Sequence, residues 1–301
     1  MLSGCAFRHF RLFHPAGPLA QAEVRFTLID VGVMLCLILP TFLMILWCLW
    51  RYRRTRQGAY NPKWSRSRPI EIAMWVIPFL TVAVLAFVSF RGVYQLDPYH
   101  PRALGTGPPL GPPLRVDVIA TDWQWVFIYP KQHIATIDEL VVPVGRNVKF
   151  RLTSTAVVND FYIPQLAPMI DVMPGMRTEN ALRIGRPGAW RGFSANLSGA
   201  GFSWMIFQTR GVPPSAFKAW VRKVEQSPDH LTYARFETVA KPSINLLHTP
   251  AYFSAATPGL FRHVITAARA GKVYPVKEDL TKHMAIAARR HAAYLAAPFG
   301  R

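Results

Sequence analysis

Two long stretches without a charged residue, Val31 to Trp50 and Ile72 to Phe90, limit what this chain can fold into more than any other feature. As helices they would run about 30 Å each at roughly 1.5 Å per residue, the thickness of a bilayer's hydrocarbon layer. Pro40 and Pro78 fall inside the runs, which lipid-facing helices tolerate when neighbouring groups satisfy the freed carbonyls. Between the runs come Arg51, Arg53, Arg54, Arg56, Lys63, Arg66 and Arg68, with no acid before Glu71. A short loop so rich in Lys and Arg is expected on the cytoplasmic side, which sends both termini outward. A soluble protein would instead have to bury both runs around nearly their whole circumference while leaving the basic hairpin outside.

Composition agrees. Of 301 residues 51% are hydrophobic and 17% charged, with 35 Lys+Arg against 16 Asp+Glu. The basic excess is concentrated between apolar runs rather than on a folded face with stacking aromatics, so nucleic acid is not an expected partner. The three cysteines, Cys5, Cys36 and Cys48, include no CxxC pair and support no disulfide framework or zinc site. Cys36 and Cys48 read as small apolar fillers. Met1-Leu2-Ser3-Gly4-Cys5 has the form of a lipoprotein cleavage site without the preceding signal, which makes Cys5 the lipidation candidate.

Beyond Arg91 a Pro/Gly-rich stretch, Gly105 to Pro113, reads as a linker. Short strand-like segments then follow at Val116 to Ala120, Trp125 to Tyr129, Asn147 to Thr153, Val157 to Ile163, Met176 to Ile184 and Phe202 to Gln208, separated by Pro and Gly. That spacing predicts a β-sandwich or Greek-key barrel of about 100 residues. The expected organisation is an outward N-terminal segment (1–25), a first transmembrane helix (26–50), a cytoplasmic basic loop (51–70), a second transmembrane helix (71–93), a linker (94–113), the β domain (114–212), an aromatic-rich extension (213–276) and a basic tail (277–301).

Several motifs carry a specific resemblance. Thr121-Asp122-Trp123-Gln124-Trp125-Val126-Phe127, Phe161-Tyr162-Ile163-Pro164-Gln165-Leu166, the Asp171 to Met176 segment ending Pro174-Gly175-Met176, and Gly192 through Met205 resemble, in that order, subunit II of haem-copper oxidases. Glu71-x3-Trp75-x2-Pro78 is similar to the family's pattern at the start of the second span. The resemblance implies a two-helix membrane hairpin, a cupredoxin-like β-sandwich or barrel and a small helical aromatic-rich C-terminal extension. In the cytochrome c oxidase branch the β domain holds a dinuclear copper centre. The matching positions here are Asn159 for the first His, Ser194 and Ser198 for the bridging Cys, Asn196 for the Glu and Phe202 for the second His, leaving only Met205. Copper of this kind requires thiolate and imidazole, so no metal or cofactor is expected on this chain. Asn159, Ser194, Asn196 and Ser198 are expected to hydrogen-bond within their loops, and Met205 to be core.

Such loss on a kept scaffold resembles the cytochrome bo-type ubiquinol oxidase branch. This implies membership of a proton-pumping complex of the bacterial inner membrane, with the β domain in the periplasm. The haems and copper would lie in the partner subunit I, and ubiquinol would be the complex's substrate. From Arg115 onward there are 23 Lys+Arg and 12 Asp+Glu, a balance unsuited to steering basic cytochrome c. By the same resemblance, Glu71 is a candidate proton-uptake residue at the cytoplasmic edge, and Trp123 and Trp125 are candidates for the interface with subunit I, read in the absence of a metal as packing anchors. No residue on the chain is expected to be catalytic. Two rivals remain: a cytochrome c oxidase subunit II with working copper, separable by metal analysis, and a membrane-tethered cupredoxin-like assembly protein, separable by copurification.

Overall fold

The computed structural model describes residues 11–53, 67–100, 102–104, 109–245 and 247–274. Cys5, most of the basic loop and the basic tail lie outside them. The chain divides into two compact units, one of residues 22–96 and one of residues 1–21 with 97–301.

The first unit is a pair of helices, α1 (Pro18–Arg51, whose first turn belongs to the other unit) and α2 (Arg68–Leu96). Their most apolar windows have mean hydropathies of 2.5 and 2.3, and among the described residues nothing buries those windows. Leu43, Leu49, Trp75 and Phe79 are all more than half exposed, an arrangement stable only where the surroundings are themselves apolar. Helix periodicity is nearly absent from α2 because residues on every side are apolar. The α1 helix starts well ahead of the uncharged run. Proline suits the first helical position, and Leu19 and Ala20 are buried within the outer unit.

The outer unit is built on two sheets. One orders β12 (Ala251–Phe253), β3 (Ile134–Ile137), β2 (Trp125–Tyr129), β1 (Leu114–Ala120), β5 (Asn147–Ser154) and β8 (Thr178–Arg183). The other orders β4 (Glu139–Pro143), β10 (Ile206–Val212), β9 (Gly188–Ser194), β6 (Asn159–Ile163) and β7 (Ala167–Val172). β1 pairs with β5, and β4 with β10, in parallel, while the remaining ladders of these sheets are antiparallel. This is a cupredoxin-like sandwich.

Alternation along β2 shows how the core divides. Trp125, Phe127 and Tyr129 point between the sheets, whereas Val126 and Ile128 point the other way into a second apolar cluster. That second cluster is completed by the C-terminal extension: α3 (Pro214–Glu225) packs on the first cluster, while α4 (Tyr233–Val239) and α5 (Leu260–Arg269) add Phe236, Leu260, Phe261 and Val264 to the second. A two-stranded pair, β11 (His230–Leu231) with β13 (Ala255–Ala256), closes the extension on itself. Between the sheets, Phe161 and Phe207 stack at 5.1 Å with an interplanar angle of 10°, and Trp125 meets both edge-on. Gly192 is required beneath this cluster, since a Cβ there would overlap the Phe207 ring.

Three strand expectations shift. Phe202–Trp204 is one 3-10 turn and the strand begins at Ile206, because the Trp204 and Met205 amides close on Gly201 and Phe202 carbonyls at 3.0 Å. Met176 lies outside β8, in the turn formed by Gly175 at φ +72°. The expected strand from Val157 begins at Asn159.

Candidate functional site

The loops that resemble a copper site converge at one end of the sandwich. Asn159 opens β6, Ser194 closes β9, and Asn196, Ser198 and Phe202 lie on the loop leading to Met205 just before β10. Pairing of β6 with β9 in register Phe161 to Ser194 brings the first position beside the second. The Ser194 hydroxyl donates to Asn159 Oδ1 at 3.1 Å, and Asn159 Nδ2 donates to the Val157 carbonyl at 3.3 Å. Asn196 Nδ2 donates to the Val158 carbonyl at 3.0 Å. Met205 is fully buried, as core, and its carbonyl accepts from the Ser194 amide at 3.2 Å.

Ser198 departs from expectation. Its hydroxyl is buried with no partner among the described residues, while its carbonyl accepts from Trp123 Nε1 at 2.9 Å. The loop is therefore held through the backbone, and the hydroxyl is left over. Hydroxyls, amides, a phenyl ring and one thioether do not fit a dinuclear copper centre, which needs bridging thiolates and imidazoles. Among the described residues, no three of His, Cys, Asp and Glu come together as a metal site.

Trp123 and Trp125 lie in the interior of the sandwich. Trp125 is wholly buried and Trp123 is 4% exposed. Trp125 Nε1 donates to the Met205 carbonyl at 3.4 Å, and a Cβ on Gly201 would overlap the Trp123 ring. They clamp the former ligand loop from beneath.

On β6 and β7, Asp160 and Asp171 stand directly opposite each other. Partial burial first, and then the hydrogen bond and charge of Asp171, raise the Asp160 carboxyl to about 6.

The sequence reading missed a second polar centre. Asp138 and Glu139, adjacent at the β3–β4 junction, are both buried. Asp138 adopts φ +58° and accepts from the Trp125 amide and from Asn245 Nδ2, each at 2.9 Å. Glu139 pairs with Arg210 at 3.1 Å and accepts from the Tyr252 hydroxyl at 2.8 Å and Trp220 Nε1 at 3.4 Å. Asn245, Tyr252 and Trp220 all belong to the C-terminal extension, so two neighbouring acids fasten it to the sandwich. An acidic pair inside an apolar, strand-like stretch was the available signal. Burial pushes the Asp138 carboxyl up to about 7 against the lowering effect of its two donors, and burial followed by the Glu139 contact raises the Tyr252 hydroxyl.

Glu71 lies in the first turn of α2, with its side chain exposed and its amide bonded to the Ser67 carbonyl at 3.0 Å.

A cupredoxin-like sandwich with an aromatic-rich extension and two apolar helices defines the subunit II class of haem-copper oxidases. The family described as "Cytochrome C oxidase subunit II, periplasmic domain" matches residues 130–212, and "COX Aromatic Rich Motif" matches residues 225–267. The chain is 39% identical over 266 residues to cytochrome bo(3) ubiquinol oxidase subunit 2 of Pseudomonas putida, covering 88% of this chain and 82% of that one. It is 37% identical over 274 residues to ubiquinol oxidase subunit 2 of Acetobacter aceti, covering 91% and 86%. The chain belongs to the ubiquinol oxidase subunit 2 family.

Proposed function

We propose that this chain is the second subunit of a proton-pumping ubiquinol oxidase in a bacterial inner membrane, with its sandwich in the periplasm. The observation that carries the reading is a cupredoxin scaffold whose ligand loops are intact while their donors are hydroxyls and amides. Electrons cannot cross such a domain, so quinol must deliver them inside the neighbouring subunit I, which holds the haems and copper. The chain anchors and covers that subunit and has no catalytic residue of its own. Purification from membranes through a tag on this chain should yield haem-bearing partners and quinol-driven oxygen uptake, with no copper in the outer domain. Stoichiometric dinuclear copper there, or an eluate without haem, would overturn the reading.

Two finer roles follow. Glu71 takes up protons from the cytoplasmic water at the start of α2, a role supported by its exposed position ahead of an apolar span. Glu71→Ala should lower turnover several-fold in a complex that still assembles with full haem content; unchanged turnover removes the role. Cys5 carries a lipid, which a mass increase of the N-terminal peptide by the acyl groups would establish and an unmodified Cys5 would refute.

A further inference from the structure

A half-open cavity of about 820 Å³ lies where α5 meets the outer face of β1, β2 and β5. Its size is that of pockets that enclose a small organic molecule, typically ~300–1,000 Å³. Ile128, Leu260, Phe261 and Ile265 provide apolar lining, and four arginines, Arg151, Arg177, Arg262 and Arg269, share it with a single carboxylate, Asp117.

The charges are unequally compensated. Arg151 grips both oxygens of Asp117, with Nε donating to Oδ1 at 2.6 Å, and its guanidinium lies 5.2 Å from the Phe261 ring centroid. Arg177 pairs with Glu179 at 3.2 Å. Arg269 donates through Nε to the Gly175 carbonyl at 2.7 Å, which orients the guanidinium but leaves its charge uncompensated. The Arg262 guanidinium has no hydrogen-bond or ion-pair partner among the described residues. Two uncompensated guanidiniums beside an apolar lining form a recognition surface for a negative head on an apolar body. A cation would be repelled, and a neutral molecule would use only the apolar part.

We propose that this cavity binds an amphiphilic anion: a carboxylate or phosphate head held by Arg262 and Arg269, with its hydrocarbon body on Leu260, Phe261 and Ile265. Free fatty acids and anionic phospholipids share that chemistry. The site is independent of quinol oxidation and of the former copper loops.

The test uses the full-length chain in phosphatidylcholine nanodiscs, with empty discs subtracted. Decanoate and dihexanoyl phosphatidic acid are titrated as the two sources, with decanol and inorganic phosphate as body-only and head-only controls. The expected result is saturable one-site binding of at least one amphiphilic anion, the tighter one naming the source. Decanol and phosphate should bind at least about tenfold more weakly. Arg262→Glu, at an exposed position, should weaken the anion at least about tenfold while leaving near-UV circular dichroism and decanol binding unchanged. The proposal is overturned by no saturable binding beyond empty discs, by phosphate binding as tightly as the amphiphiles, or by unaltered affinity in a natively folded Arg262→Glu protein.

Discussion

Replacing Asp138 by Asn should change how the stability of the outer domain responds to pH, by an amount that follows from the residue's burial. The carboxyl rises from its ordinary 3.8 to about 7 in the folded chain. The folded state therefore keeps its proton through a window in which the unfolded state gives it up. Stability from this group is fully present below about pH 4 and is lost as pH rises toward 7, at roughly 1.4 kcal/mol per pH unit, or ~4 kcal/mol over the window. Asn cannot titrate. It also turns one amide nitrogen toward a donor, Asn245 Nδ2 or the Trp125 amide, which costs a constant amount at every pH. The informative quantity is thus the slope of the stability difference, wild type minus variant, and not its size. Urea unfolding of the full chain in neutral detergent, followed by near-UV circular dichroism at several pH values between about 5 and 8, should show the difference falling by roughly 1.4 kcal/mol per unit and levelling above about pH 7. A difference independent of pH, or one that grows with pH, would refute the reasoning. It would mean that the two N–H donors stabilise the ionised carboxylate more than burial penalises it.

Two further outcomes are expected of the same assay. Tyr129→Phe removes a buried hydroxyl that donates to the Val141 carbonyl at 3.0 Å and accepts from the Val141 amide at 2.9 Å, so unfolding should become easier by about 2 kcal/mol, nearly independent of pH below 9 or so. Asp160→Asn replaces one member of the facing carboxyl pair; because Asp160's raised carboxyl loses its proton near pH 6, the stability difference, wild type minus variant, should decline as pH rises toward 6 and level off above it. Solvent screening limits this second effect to less than about 1 kcal/mol, and an identical pH profile for the two proteins would remove the coupling.

The helices and the central strands were legible because their signals are local. An uncharged run of bilayer length admits few alternatives, and the extents of β2 and β5 agree closely with the predicted segments. β3 and β4 escaped notice because they are short and buried throughout, so the alternation that marks a one-sided strand is absent. β7 and β9 carry exposed and small residues that imitate loop composition. Motif order picked out Asn159, Ser194, Asn196, Ser198 and Met205, which converge at one end of the sandwich. It did not reveal that Ser194 and Asn159 hydrogen-bond to each other while the Ser198 hydroxyl has no partner among the described residues.

Chemical capacity at each position was settled by residue type: no folding can make a serine hydroxyl into a thiolate or a phenyl ring into an imidazole, and the two uncharged runs are long enough as helices to cross a bilayer. Partnership depended on long-range pairing. Asp138 finds Asn245, Glu139 finds Tyr252, and Arg269 reaches the Gly175 carbonyl only because the extension folds back over the first sheet. Those contacts cross most of the domain in sequence, and local preference carries no record of which distant side chain will arrive to share a buried charge.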